Sequence, residues 1–130
     1  MSRIFCYNIN NTGRGTIMIQ AINTATTALK AFSKVLDVSA NNIANIDTDG
    51  FKKSQVVMSE IKSGGVQSKT EIVNTSGVVV PDRITGEMIE ASNVDMLEEI
   101  TNQLSARYAY EANMLTIKTA NEMFKTLIVS

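Results

Sequence analysis

Side chains able to do chemistry near neutral pH are few in this chain, and they do not gather. There is no His and no Trp, and Cys6 is the single thiol. Without His the usual near-neutral general base is missing, and with it most zinc, copper and haem ligation. One Cys can form neither an internal disulfide nor a thiolate cluster. The adjacent carboxylates Glu98 and Glu99 come closest to a catalytic pair. Such a pair works as acid and base only inside a pocket that drives its pKa values apart. Near a helix start, these two read instead as a charge preference for the helix dipole. Lys52-Lys53 reads as a solvated turn rather than an anion site. No enzyme activity, cofactor or metal is expected.

The 130 residues suffice for one domain. At 44% hydrophobic and 19% charged, the chain is neither a disordered charged tail nor a membrane protein. No apolar run nears the ~18 residues of a spanning helix, so direct membrane insertion is not expected. A basic stretch followed by an apolar one, the mark of a cleavable secretory signal, is not visible at the N-terminus. A net charge of −1 gives nucleic acid no general reason to bind.

What the elements must position, then, is apolar and amide surface. Steps of four and three from Met18 give Ile22, Ala25, Leu29, Phe32, Leu36, Ser39, Ile43 and Ile46, all but Ser39 apolar. That spacing predicts a coiled-coil-type seam on a helix of about 30 residues, roughly 45 Å long. Ala21, Ala28, Ala31, Val35 and Val38 flank the seam, and a helix apolar on several sides expects more than one neighbour. Asp47-Thr48-Asp49-Gly50 should end it in a type I turn. Phe51 to Ile61 reads as a strand, Gly64-Gly65 as a hairpin turn, and Val66–Val73 and Val78–Val80 as further short strands stopped by Pro81-Asp82. A second long helix should begin near Ser92-Asn93, with Ser92 and Asp95 spaced as a capping box and Lys118 and Lys125 towards its end. Its apolar residues run Leu97, Ile100, Leu104, Tyr108, then Tyr110, Met114, Ile117, Phe124 and Ile128, with a phase slip of the kind a stutter makes. The fold class expected is mainly α: long N- and C-terminal helices pairing as a coiled-coil-like hairpin, with a small β or extended middle section.

Two tracts carry a family resemblance. Residues 36–53, with Ala40-Asn41-Asn42-Ile43-Ala44-Asn45 followed by Gly50-Phe51-Lys52, resemble the N-terminal signature of bacterial flagellar axial proteins, the rod and hook proteins. Asn93-Val94-Asp95, Ala109-Tyr110-Glu111-Ala112-Asn113, Ile117-Lys118-Thr119-Ala120 and the Met123 to Leu127 ending resemble the C-terminal signature of the same family. Only about 40 residues separate the two, where hook and distal-rod members insert large β domains, so the chain is most similar to the short proximal-rod members. One departure is the compact Asp47–Phe51 turn, which is more typical of hook and distal-rod proteins.

The resemblance implies a structural subunit of the flagellar basal-body rod, self-assembling through its terminal helices to transmit torque. It implies partners among other rod proteins and copies of itself, and delivery without a cleaved signal by the flagellar type III export apparatus to the periplasmic rod. The runner-up is a soluble helical binding module, an export chaperone or assembly regulator. Asn41, Asn42 and Asn45 are mediocre helix formers and could mark fraying; the family pattern favours amides that fix register or bond neighbouring subunits. Tyr108 and Tyr110 cannot share a face, so one should pack while the other meets a neighbour. The units expected are a helix and turn over 18–50, a middle section over 51–91 and a helix over 92–130. Residues 1–17 are read as a disordered extension or a mis-assigned start, with Met18 as the true initiator. Gly13-Arg14-Gly15 could be encoded by a purine-rich stretch placed as a ribosome-binding site for Met18, and loss of Cys6 would suit an exported protein.

Overall fold

The computed structural model describes the backbone of residues 3–129 and the side chains of residues 17–126 and 128. The elements run α1 (Arg3–Ala44), β1 (Ser54–Glu60), β2 (Val66–Ile72), β3 (Val79–Pro81), β4 (Met88–Glu90) and α2 (Met96–Val129). The chain is therefore two long helices at the ends with two small β-hairpins between them. Where the repeat suggested a helix starting at Met18, α1 is helical upstream to Arg3; the side chains of residues 1–16, Cys6 included, lie outside those described.

The helices pack on one another along most of α2, but not by the large apolar seam that the spacing suggested. On α1 the buried residues are Met18, Ala25, Ala28, Ala31, Ser39 and Asn42; on α2 they are Glu99, Ala106 and Ala120. With its half-buried neighbours, the inner stripe of α2 reads Glu99, Gln103, Ala106, Tyr110, Asn113, Ile117, Ala120, an unbroken alternation of four and three. The stutter is thus absent from the inner face. The slip arose from following large apolar residues, which mostly lie elsewhere on the helix. On α1 the seam shares Met18, Ala25 and Ser39 with the expected one and moves one position from Leu29 to Ala28 and from Ile43 to Asn42. Small side chains along this stripe let the two helices approach closely, since interaxial distance follows the residues at the contact.

α1 ends at Ala44 and passes into a tight turn through Asn45 N–H to Asn42 C=O and Ile46 N–H to Ile43 C=O bonds of 3.1 and 3.3 Å. Gly50 closes the reversal at φ +67°, a left-handed conformation open to glycine at little cost. Its N–H donates to the Glu90 carbonyl at 2.7 Å.

β1 and β2 pair antiparallel with Ser54 opposite Ile72 and Glu60 opposite Val66. The Gly64-Gly65 turn brings this hairpin onto α1, where the Thr27 hydroxyl accepts the Val66 N–H at 3.1 Å. The second hairpin pairs Val79 with Glu90 and Pro81 with Met88. Pro81-Asp82 therefore does not stop the β section; it opens a turn. The Asp82 carboxylate accepts the Ile84 N–H at 3.1 Å and the Thr85 hydroxyl at 2.7 Å, and the Gly86 N–H returns to the Asp82 carbonyl at 3.0 Å.

α2 begins at Met96, later than the capping box suggested. Asp95 is the N-cap, its Oδ1 accepting the Leu97 N–H at 2.8 Å and the Glu98 N–H at 3.2 Å. Ser92 lies outside the helix, where its hydroxyl accepts the Val94 N–H. Because α2 runs on to Val129, Lys125 falls short of its last turn, which holds no basic residue.

Candidate functional site

Where α1 ends, both hairpins start and α2 begins, polar side chains knit the four together. Asn42, 1% exposed, is at the centre. Its Nδ2 donates to the Ser54 carbonyl at 2.7 Å and to Glu99 Oε1 at 2.8 Å, while its Oδ1 accepts the Ser54 N–H at 2.9 Å. One level up, the Ser39 hydroxyl donates to the Glu99 carbonyl at 3.0 Å. One amide thus fixes three elements in register: α1, the start of β1 and the first turn of α2. A side-chain amide has both donors and an acceptor, and Asn42 is the right length to use all of them. Leaving any of these buried partners unmatched would cost about 1–3 kcal/mol.

Asn93 does the same for the loops. Its Oδ1 accepts the Lys53 N–H at 2.6 Å and its Nδ2 donates to the carbonyls of Val73 and Thr75, both at 2.9 Å. Glu90 completes the clasp: its Oε1 accepts Lys52 Nζ at 2.5 Å and the Gly77 N–H at 2.7 Å. The Lys52 ammonium, and then the Gly77 N–H, hold the Glu90 carboxyl below its ordinary value of 4.5. Gly77 has to be glycine here, because a Cβ would overlap the Ala91 carbonyl oxygen.

Several sequence expectations change at this clasp. Lys52 and Lys53 are not solvated: both are half-buried, Lys52 on Glu90 and Lys53 on Glu98 Oε2 at 2.6 Å. Glu98 and Glu99 are more than a helix-start preference. Glu98 ties β1's approach to α2, and Glu99 is only 4% exposed. Of the three helix amides, Asn42 alone is buried. Asn45 is half-buried and bonds the Asn41 carbonyl at 2.9 Å, accepting the Thr48 hydroxyl, while Asn41 is exposed. Gly50 is exposed and Phe51 half-buried.

The apolar residues divide between the helices. On α1, Ile22, Leu29, Phe32, Leu36 and Ile43 are half-buried. On α2 the expected packing residues Leu97, at 75% exposed, Ile100, Leu104 and Tyr108 point away from α1, and Met114 is exposed as well. Phe124, four residues beyond Ala120, keeps the phase of the inner stripe but is 41% exposed. Tyr110 and Ile117 are half-buried in the inner stripe. An intramolecular role for Leu97, Ile100 and Leu104 is thereby corrected, since the inner face is already filled by alanines and polar groups. An exposed apolar row of this length on a helix marks an interaction surface.

Among the described residues, no group of three or more His, Cys, Asp or Glu is placed to hold a metal ion. Among them, too, no helix is long and apolar enough to cross a membrane. Ser39, the one polar residue in the apolar repeat, was the signal for the clasp: a buried hydroxyl in a seam needs a partner.

Two family models match the chain: "Flagella basal body rod protein" over residues 22–52 and "Flagellar basal body rod FlgEFG protein C-terminal" over residues 85–129. The flagellar basal-body rod protein FlgC of Buchnera aphidicola subsp. Acyrthosiphon pisum is 32% identical over 133 residues, spanning 87% of this chain and 98% of that protein. FlgC of Salmonella typhimurium is 28% identical over 128 residues, 85% of this chain and 96% of its own. The flagellar hook protein FlgE of Escherichia coli K12 is 35% identical over 72 residues, but these make up 17% of its length. The matched ends contain the clasp residues Asn42, Glu90, Asn93 and Glu99.

Proposed function

The chain belongs to the flagellar basal-body rod protein family, and from that premise we propose that it is a structural subunit of the rod, assembling with other rod and hook proteins and with copies of itself. The observation that carries this reading is the row of large apolar side chains left outside on α2, from Leu97 through Ile100, Leu104 and Tyr108 to Leu115. In a subunit that packs against neighbours on several sides this row is buried on assembly; Leu97, Leu104 and Tyr108 then become contacts between chains. Each such side chain gains about 1.5–3 kcal/mol on full burial. Asn41, exposed on α1 beside the buried Asn42, bonds a neighbouring subunit.

The mechanism is mechanical. The clasp makes one rigid unit of the helix pair and both hairpins, and torque passes from chain to chain through packed helix faces. No catalytic step is assigned. Delivery by the flagellar type III export apparatus, without a cleaved signal, and residence in the periplasmic rod complete the reading. Peptide mass spectrometry of purified hook–basal bodies from the native organism tests it. Stoichiometric presence is the expected result; absence there with abundance in the cytoplasm would overturn it in favour of a binding module.

A further inference from the structure

The β3–β4 hairpin ends in a tip whose composition and rigidity the rod reading does not use. Ile84 is 93% exposed, the highest of the exposed large hydrophobic residues, and Arg83 beside it is exposed as well. Among the described residues Arg83 takes part in none of the ion pairs. The tip is not loose. Asp82 holds it through the Ile84 and Thr85 N–H groups and the Thr85 hydroxyl, with the Asp82 N–H to Glu87 C=O bond closing it at 2.7 Å. A pre-ordered tip loses little conformational freedom on binding, so an apolar and a cationic side chain are presented together at low cost.

A complementary hollow lies between α1, α2 and β1. It has a volume of about 290 Å³, and its walls include Val35, Val38 and Val56 for apolar contact and Glu98, Glu99 and Asn102 as acceptors. Lys53 also lines it, but already pairs with Glu98, so the walls carry two carboxylates against one ammonium. Glu99 is buried at the foot of α2, and only one of its carboxylate oxygens takes the Asn42 amide. Acid and valine side by side fit an arginine with an isoleucine next to it.

We propose that the Arg83-Ile84 tip of one copy docks into this hollow of the next copy. Tip and hollow are different surfaces, so the contact is head-to-tail and propagates along a ring or helical filament rather than closing as a two-fold dimer. The proposal deepens the rod reading and rests on it; the experiment separates the two. Ile84→Cys and Asn102→Cys are introduced together on a Cys6→Ser background in the full chain, and basal bodies are purified and treated with a mild oxidant. The expected result is a ladder of disulfide-linked chains that neither single-cysteine variant gives. Normal incorporation without a ladder overturns the docking while leaving the rod reading intact. Absence of the unaltered chain from basal bodies overturns both. Should the cysteine pair itself block incorporation, charge variants read the same contact. Arg83→Glu is expected to lower incorporation at least tenfold, and Arg83→Glu with Asn102→Lys to recover most of it. No loss in the first, or no recovery in the second, overturns the proposal.

Discussion

The inner and outer faces of α2 invert the usual arrangement. The face turned to α1 carries Glu99, Ala106, Asn113 and Ala120, while Leu97, Ile100, Leu104 and Tyr108 are left outside. Inside, specificity comes from hydrogen bonds of fixed geometry; outside, binding strength is stored as apolar area. The contrast teaches that the chain spends its polar groups on defining one shape and holds its hydrophobic surface for neighbours. A chain with the faces exchanged would make a stable monomer with nothing to offer a filament.

The sharpest break of this contrast is Leu104→Asp. It should reduce incorporation into basal bodies by about 100-fold or more, because a charge is carried into an apolar contact, while the isolated chain keeps its stability to within about 0.5 kcal/mol. Counting incorporated subunits and following denaturant unfolding of the purified variant separates the two effects. Leu36→Asp, on the half-buried side of α1, should lose both assembly and about 2–3 kcal/mol of stability. Normal swimming with either variant would place these residues outside the subunit contacts.

Asn42→Ala tests the inner face. It strands the Ser54 amide and carbonyl and the Glu99 carboxylate, so a loss of about 3–5 kcal/mol is expected. Asn41→Ala, three atoms of amide removed from an exposed position next door, should change monomer stability by less than about 0.5 kcal/mol. Since Ala is the better helix former, propensity alone would stabilise both variants; equal changes in urea unfolding would show that Asn42 contributes no more than an exposed amide and would remove its register role. Smaller than the loss at Asn42, Gly77→Ala should cost about 1–3 kcal/mol through the overlap with the Ala91 carbonyl, read as a drop in the urea midpoint.

The smallest effect is the pH dependence of the clasp. Glu90 has its carboxyl depressed below 4.5 by Lys52 and Gly77. A depressed carboxyl binds its proton later in the folded chain than in the unfolded one, so its contribution is complete above the unfolded value and fades as pH falls through the folded one. Stability of the unaltered chain should therefore fall between neutral pH and strongly acidic pH more than that of Glu90→Gln. Parallel unfolding curves at pH 7 and pH 3 make the check.

Both long helices were legible because four-and-three spacing without Pro is hard to produce otherwise, and the first hairpin because Gly64-Gly65 sits between β-rich runs. The phase of the seam was not, since alanines at 28, 31 and 106 carry almost no hydropathy signal beside Leu29, Phe32 or Leu104. The strand Met88–Glu90 is three residues long, and only its partner across the Asp82 turn makes it one. Lys52 and Lys53 read as solvated because their carboxylates stand 38 and 45 residues further along the chain. The clasp is long-range chemistry, and spacing rules see only neighbours in sequence.

The Asn42–Glu99 bond spans 57 positions of chain. A polypeptide emerging N-terminus first, from a ribosome or a channel, can wind α1 and close both hairpins while Asn42 still lacks its carboxylate. Loop closure of that length comes late and slowly compared with local winding. The unit therefore cannot lock until the beginning of its last helix has come through, and the same amide that sets register also marks the arrival of that helix. A fragment cut before Glu99 would stay unlocked and would never present a finished surface to the growing structure.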